Sequence, residues 1–583
     1  MIKVSDYIIE WLKQKGVDTA FCITGGAAAH LIESLRTSGI KVIHNYNEQA
    51  CAMAADGYAR IAKKPALVLV TNGPGSSNAI TGVLGAWQDS IPMFVLSGQV
   101  PSHQSQYKQI GLRQGGVQEA DIISMVKHCT NHALRLRDNH NIPCQLEKGW
   151  DLCTKGRMGP VWYDIPLDIQ NKKIENKPPV IDDSFNYSFY KKNTENFDKH
   201  FRHILEKLYM FKAPLIIVGN GVHLSNTEEQ FIELSKQLMI PVVSSWNASD
   251  LFKHDDLFYI GNFGLLGQRA ANMAVQEADL VLIFGCRLSV PNTGYNGKEF
   301  ANNAYKIQID TDRFEMNKFD LNIDYKINAD LQDFIPYLLN QHFDNNNWDD
   351  LHLWHQRLVY LKERYPIMDE PHTREEGFIN SFDFIEELSN YLTPNDIVVT
   401  DMGTSFTCTM QSLKNKGNRL FTSSGLSSMG FGLPGAIGAY MASPNSRIIC
   451  ITGDGGIQMN IQELQTIKHY DIPVYIFVLN NKGYLAISLM QDNLFDKNHF
   501  GSDYESGVSS PDFVRVAKAY DISSFKLKDL KDIKKVFNKN TKVVCDIPMV
   551  QNQLLIPRVQ SKKDENGNII SGSLETMYPF LEE

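Results

Sequence analysis

Short apolar runs and helix-period stretches alternate along most of the chain. ALVLV (66–70) and MFVLSG (93–98) open the series. A second set follows with PLIIVGNG (214–221), LVLIFG (280–285) and YKIQIDTD (305–312). A third has DIVVTD (396–401), RIICIT (447–452) and VYIFVLNN (474–481). Apolar runs of strand length separated by helical periods predict α/β units around parallel sheets. Two polar stretches divide the series. The polar run NKKIENKPPVIDDSFNYSFYKKNTEN (171–196) marks a surface linker over about 176–200, and HFDNNNWDD (342–350) opens a second one. The pattern therefore predicts three α/β domains, over 1–175, 195–342 and 370–557, and a polar tail over 558–583. The first residues, MIKVSDYIIEWLKQKG, read as an amphipathic helix rather than a signal peptide.

Size and charge narrow the function classes. A chain of 583 residues is too long for one hydrophobic core. A net charge of −9 gives no attraction to nucleic acid or to an anionic membrane. No stretch is apolar enough to span a bilayer. The nine cysteines are scattered without a C-x-x-C pair, which predicts buried thiols in a reducing, cytoplasmic setting rather than disulfides or a zinc site.

The first and third segments echo each other. ALVLVTNGPGSSN runs into a helix and then SIPMFVLSG; RIICITGDGGIQMN runs into a helix and then DIPVYIFVLNN. Two similar halves are a natural cradle for one ligand, although any two βαβ units share such a pattern.

The most informative segment runs from Thr452-Gly453-Asp454-Gly455-Gly456 to Asn480-Asn481-Lys482-Gly483. Each end follows an apolar strand, and NIQELQTIKHY between them is helical. A right-handed crossover brings both strand ends to one sheet edge, where ligands of open α/β sheets bind. There Asp454, Asn481 and a nearby backbone carbonyl form a hard oxygen set suited to Mg²⁺. Gly453, Gly455 and Gly456 would leave room for phosphate oxygens beside backbone N–H groups. A lone GDG is more simply a turn with Asp454 as helix cap; the second loop is what points to a metal. A second candidate is Glu48, in HNYNEQACAMAADGYAR, which follows KVIH and opens a helical pattern. Its simplest role is a solvated first-turn acid favoured by the helix dipole. A buried Glu with a raised pKa would instead hold or share a proton.

Together these segments resemble thiamine-diphosphate-dependent enzymes of the acetolactate synthase type. The GDG…NN pair is similar to that family's diphosphate-and-metal motif, which implies Asp454, Asn481 and the Gly483 carbonyl as Mg²⁺ ligands. Asn47, Glu48, Ala55, Gly57, Tyr58, Ala59 and Arg60 resemble N-E-x-x-A-x-x-x-A-x-G-Y-A-R, with one residue's latitude in the alanine spacing, and imply Glu48 as the acid that protonates the aminopyrimidine ring. Gly425-Leu426-Ser427-Ser428-Met429-Gly430-Phe431-Gly432-Leu433-Pro434 resembles G-L-G-T-M-G-F-G-L-P. By that likeness Met429 wedges beneath the coenzyme and the Ser427 carbonyl accepts its 4′-amino hydrogen; the alternative for Met429 is core filling. Gly403, Thr404 and Ser405 are implied as further diphosphate donors.

The resemblance covers nearly the whole chain, through NGPGSSN (72–78) and GRMGPVWYDIPLDIQ (156–170). It implies three doubly wound domains: pyrimidine-binding, central and diphosphate-binding. GCRLSV (285–290) and QIDTDRFEMNKF (308–319) are similar to flavin-domain segments. They imply FAD contacts at Arg287 and, less directly, Gly219, Gly221 and Asp310; an empty structural domain is the alternative. The family implies a homodimer or homotetramer in which Glu48 serves a neighbour's coenzyme. It implies decarboxylation of pyruvate or a close 2-oxo acid and ligation of the acyl unit to a carbonyl acceptor.

The departures gather near the acceptor. The family's Lys in D-I-P-K-D is Leu167, a Phe before Gln118-Glu119 is Val117, and the acceptor-pocket Trp aligns with Met490; Gln118 remains as a candidate catalytic residue. The R-F-D-D-R run is reduced to RLSVPN. This combination is similar to the flavin-containing yersiniose-type branched-sugar carboligases, whose acceptor is a keto-deoxysugar nucleotide. Acetolactate synthesis from two pyruvates, a flavin pyruvate oxidase and a non-catalytic scaffold are the competing readings. The tail LETMYPFLEE is a candidate cover for the acceptor pocket.

Overall fold

A computed structural model describes the chain apart from residues 106–110, 139, 176–195, 319, 344–347, 540–541, 564–568 and 582–583. Each apolar series becomes a six-stranded sheet whose neighbouring strands pair in parallel. The first sheet lies in the order Lys41–His44, Thr19–Cys22, Ala66–Val70, Met93–Gln99, Pro160–Pro166, His132–Arg135. The third lies in the order Arg419–Phe421, Asp396–Thr400, Arg447–Gly453, Val474–Asn480, Val543–Pro548, Ser523–Lys526. Numbered along the chain, both are 2-1-3-4-6-5, so the echo between the two segments reaches the whole sheet topology. The central sheet runs Tyr259–Asn262, Val242–Ser244, Pro214–Val218, Leu280–Phe284, Tyr305–Asp310, Tyr325–Asn328, which is 3-2-1-4-5-6. That is the doubly wound order with its crevice between the first and fourth strands.

The outer domains share one core. Helix Glu48–Ala62 packs along helix Gly432–Ala442, and the buried cluster passes from Phe21, Val68 and Met93 to Val399, Ile448 and Ile476. The alanines and glycines of CAMAADGYA (51–59) and GLPGAIGA (432–439) allow this. A methyl added at Gly438 would sit 1.9 Å from the Ala54 carbonyl oxygen, so the two backbones touch where a side chain would part them.

A chain of charges ties all three domains. Lys63, at the end of the Glu48 helix, pairs with Glu228 of the central domain at 2.6 Å. Glu228 also meets His223 Nδ1 at 3.0 Å, His223 Nε2 meets Asp250 at 2.8 Å, and Asp250 pairs with Arg419 of the third domain. Burial opposes ionisation of Glu228, but hydrogen bonds from His223 and Lys63 outweigh it and lower its pKa from 4.5 to about 2. Arg419 and His223 likewise overcome burial and hold Asp250 low. A carboxylate whose pKa is depressed by folding stabilises fully above its unfolded value and loses that contribution as pH falls through the folded value. The stabilisation from Glu228 is therefore expected to vanish between about pH 4.5 and pH 2. Urea midpoints of wild type should fall through this window more steeply than those of Glu228→Gln; equal slopes would remove the network from the account of acid stability.

The structure revises two sequence expectations. The first linker falls largely outside the described residues, but the second contains the 17-residue helix Trp348–Arg364. Leu351, Trp354, Leu358 and Leu361 are buried at helical spacing, and Trp354 Nε1 donates to the Pro214 carbonyl at 2.9 Å. The charged residues between them masked this stripe. The tail forms strand pairs Arg558–Val559 with Met577–Tyr578 and Ser561–Lys563 with Ile569–Ser571. It docks on the central domain, where Asn272 Nδ2 donates to the Leu574 carbonyl at 2.9 Å and Arg269 donates to the Met577 and Pro579 carbonyls. Its aromatic end is thus a brace for helix Arg269–Glu277. All nine cysteines are buried and unpaired, as expected from their scatter. No helix among the described residues is long and apolar enough to cross a membrane.

Candidate active site

Strands Arg447–Gly453 and Val474–Asn480 are parallel neighbours with Gly453 opposite Leu479. Asp454 and Asn481 therefore leave the sheet side by side, although 27 residues separate them (481 − 454). Asp454 opens helix Asp454–Met459. Its Oδ1 accepts from Gly455 N at 2.9 Å, and its Oδ2 accepts from Gly483 N at 3.0 Å and Ser510 Oγ at 2.5 Å. The carboxylate thus spans two loops, which a simple helix cap does not. Burial pushes its pKa up to about 6 against these hydrogen bonds.

Asn481 completes the group. One terminal atom of its side-chain amide lies 3.1 Å from both Asp454 Oδ1 and the Gly483 carbonyl oxygen, and as the NH₂ it donates to both. With a cation among these groups the amide would turn its oxygen inward, giving three oxygen donors. Oxygens at right angles around an ion with bonds of about 2.1 Å stand roughly 3.0 Å apart, which is the Mg²⁺ geometry. The donor set and its spacing fit that ion. Among the described residues no cluster of three or more His, Cys, Asp or Glu side chains is grouped for a metal, so this mixed site is of another donor class. Asn480, the first of the pair, turns away and donates to Asp546 at 2.9 Å.

The glycines around Asp454 do not behave alike. Space beyond Gly453 is open. At Gly455 an added methyl would lie 2.4 Å from the Tyr484 ring and 3.0 Å from Met429 Cε, and at Gly456 it would lie 2.9 Å from Asp401 Cγ. A side chain would thus have room only at Gly453, while Gly455 and Gly456 let Tyr484, Met429 and Asp401 pack closely against the loop. Met429 is half-buried against this loop rather than lost in the core. Ser427 has φ +58°, which explains the glycine in the family motif, and its hydroxyl compensates by donating to the Ser424 carbonyl at 3.1 Å. Gly403, also at positive φ, precedes helix Thr404–Ser412 with open space beside it. Thr404 is half-buried in the same turn, while the buried Ser405 hydroxyl donates back to Met402 O at 3.1 Å and is used locally.

The first domain presents a second group. Asn47 caps helix Glu48–Ala62 by accepting from Gln49 N at 2.8 Å, so Glu48 is free of that task. Half-buried Glu48 accepts from Asn78 Nδ2 at 3.0 Å and faces Gly75. Gln118, at φ +57°, crosses Gly73 so closely that an added methyl would meet its carbonyl oxygen at 2.3 Å. Asn72 Nδ2 anchors the same turn on the Val117 carbonyl at 2.9 Å. Glu48 and Gln118 are thus gathered on the Asn72–Gly75 loop. Among the described residues no hydrogen bond joins this group to that of Asp454.

A cavity of about 370 Å³ lies where the three domains meet, at the crevice of the central sheet. Gly221, Arg287 and Asp310 line it. Gly219 does not; it packs against the Gly285 carbonyl, 2.3 Å from an added methyl. Burial pushes the Asp310 carboxyl up to about 6, opposed by the Asp312 amide and Arg157. Sequence reading missed Gln88, Arg157 and Trp246, which line the cavity from other parts of the chain. Among the described residues buried Gln88 Oε1 and Trp246 Nε1 find no hydrogen-bond partner, an acceptor and a donor suited to a polar aromatic ligand. These features fit a flavin or adenine moiety.

Comparison with known proteins agrees with this architecture. The thiamine pyrophosphate enzyme N-terminal TPP binding domain matches residues 2–125, the central domain 201–338 and the C-terminal TPP binding domain 401–547. The chain is 31% identical to the probable acetolactate synthase large subunit of Methanococcus aeolicus, over 95% of this chain and 92% of that protein. It is 30% identical to the acetolactate synthase large subunit of Lactococcus lactis, over 95% and 94%. It is 32% identical to the acetolactate synthase isozyme 3 large subunit of Escherichia coli, over 89% of each chain. With all three domains matched and identity sustained end to end, the chain belongs to the acetolactate synthase family of thiamine-diphosphate-dependent carboligases.

Proposed function

We propose that this enzyme decarboxylates pyruvate or a close 2-oxo acid and transfers the acyl unit to a bulky carbonyl acceptor whose reacting end is uncharged, with a keto-deoxysugar nucleotide as the candidate of that class. The carrying observation is the meeting of Asp454, the Asn481 amide and the Gly483 carbonyl, with the amide 3.1 Å from both oxygens, a donor set suited to a Mg²⁺ that anchors a diphosphate. Bound thiamine diphosphate supplies the electron sink for decarboxylation and carbon–carbon bond formation. Around it, Glu48 holds and exchanges a proton at its carboxyl, steadied by Asn78, while Met429 and the Ser427 carbonyl shape the adjoining wall. Gln118 lies exposed beside the Glu48 loop, in position to orient a substrate oxygen.

The acceptor assignment rests on three side chains. Val117 is 80% exposed and Met490 38% exposed, and Leu167 is half-buried at the start of a short helix. They stand where the family has an aromatic ring, a flat indole and a cation, so the mouth is wider and less charged. A small, anionic second 2-oxo acid loses its partner there. The test is product analysis with pyruvate, thiamine diphosphate and Mg²⁺, with and without large ketones. Large ketones should accelerate coupling well above acetolactate formation from pyruvate alone. Met490→Trp should shift preference toward pyruvate as acceptor by about 1–3 kcal/mol, the scale of a reshaped apolar pocket. Acetolactate formation that no large ketone improves would favour the second reading, condensation of two pyruvates, which the names of the relatives favour.

FAD belongs to the same proposal, held at the three-domain cavity by Arg287, Gly221 and Asp310 with Gln88 and Trp246. Purified protein is expected to carry a flavin absorption band, and Arg287→Ala to lose most of it on gel filtration. A colourless protein that takes up no added FAD would empty this domain of a cofactor role.

A further inference from the structure

Two buried carboxylates flank the coenzyme-facing loop. Asp89, at the end of helix Pro74–Gln88, is 8% exposed, and Asp401, just after strand Asp396–Thr400, is fully buried. Asp89 Oδ1 accepts from Gly425 N at 2.8 Å and Ser424 Oγ at 3.0 Å, and Oδ2 accepts from Ser424 N at 2.8 Å. Asp401 Oδ1 accepts from Gly430 N at 2.9 Å and Met402 N at 2.8 Å. Its Oδ2 accepts from Gly432 N at 3.1 Å and Thr452 Oγ at 3.2 Å. The stretch between the two anchors is Leu426–Ser427–Ser428–Met429, with positive φ at Ser427 and at Gly430.

Each anchor is itself fixed. Asp89 is gripped by buried Arg60 at 2.7 Å, and Arg60 is held by Asp56 at 2.6 Å. Among the described residues Arg60 Nη1 has no hydrogen-bond partner, but the guanidinium carbon lies 5.7 and 5.9 Å from the ring centres of Phe421 and Phe431. Asp401 joins three separate turns, at Met402, at Gly430–Gly432 and at Thr452, and an added methyl at Gly456 would touch it. Carboxylate oxygens take several N–H donors at once, which no neutral side chain of that size does. A loop with unfavourable φ values keeps its shape only where its surroundings over-determine it.

We infer that Asp89 and Asp401 are positioning residues that string the Gly425–Gly430 loop between two buried carboxylates and so set Ser427 and Met429 against the coenzyme. This rests on the functional reading above for what the loop touches. Asp89 also lines the three-domain cavity, so the ligand held there abuts the same anchor.

The test uses full-length Asp401→Asn and Asp89→Asn proteins. An amide places an NH₂ against backbone donors, at least one anchor bond is lost, and the loop is released. Hydrogen exchange over 424–432, measured without coenzyme, should accelerate about tenfold or more. The dissociation constant for thiamine diphosphate at saturating Mg²⁺, by calorimetry, should rise by a similar factor, while kcat at saturating coenzyme changes less. A purely structural role would lower thermal stability without this split. If Asp401→Asn does not fold, Asp89→Asn, which leaves Arg60 its Asp56 partner, carries the test. Unchanged exchange, or faster exchange with unchanged coenzyme affinity, overturns the positioning role. Failure of wild type itself to bind thiamine diphosphate overturns the functional reading, and the positioning role with it.

Discussion

Asp454→Ala protein is expected to lose Mg²⁺-dependent retention of thiamine diphosphate and, with it, all measurable turnover. The carboxylate is the one charged member of the donor set, and it also ties Gly483 N at 3.0 Å and Ser510 Oγ at 2.5 Å, so its removal loosens both loops. Outer partners of a metal ligand typically cost about 10–100-fold in affinity when removed, and loss of the ligand itself should exceed that range. Calorimetry of the coenzyme with and without Mg²⁺ measures it. Asn481→Ala should give a smaller loss, since it removes a neutral donor. Asp454→Ala with wild-type coenzyme affinity would place the metal elsewhere.

Glu48→Gln should behave oppositely: coenzyme bound, chemistry lost. Asn47 already caps the helix and the Glu48 partner is the side chain of Asn78, so an isosteric amide leaves the fold undisturbed. A missing acid–base group typically costs about 10²–10⁴ in rate. The Glu48 group and the Asp454 group share no hydrogen bond among the described residues, and Val117 and Gln118 beside Glu48 are exposed. We propose that a second copy closes the site, each Glu48 facing the other chain's Asp454 in a homodimer or a dimer of dimers. Mixing inactive Glu48→Gln and Asp454→Ala chains should then regain about a quarter of wild-type activity, since half of random dimers carry one intact site of two. A mixture that stays inactive, or a fully active monomer by light scattering, would sink the shared-site arrangement.

Much of the site is legible in the chain itself, because its residues sit at strand ends. An apolar run predicts a strand, the residue after it reaches the sheet edge, and parallel neighbours put their edges together. Glu48, Asp454 and Asn481 are each set close behind such a run. The glycines were harder to read. GDGG looks uniform, yet only Gly453 faces open space, because Tyr484, Met429 and Asp401 come from loops whose approach no local pattern records. The helix Trp348–Arg364 was hidden for a related reason: four buried apolar positions were diluted by charged ones that face outward.

The sequence by itself determined the three parallel sheets, the two groups at their edges and the family, since these depend on local periodicity and on residue types at strand ends. Tertiary structure alone decided how the parts meet. Gln88 and Arg157 of the first domain converge on one cavity with Trp246 and Arg287 of the central domain. Asp89 and Asp401 lie 312 residues apart (401 − 89) and yet hold one loop. Contacts of that kind come from the packing of whole sheets and helices, as where Gly438 lets two helix backbones touch, and packing has no period along the chain to read.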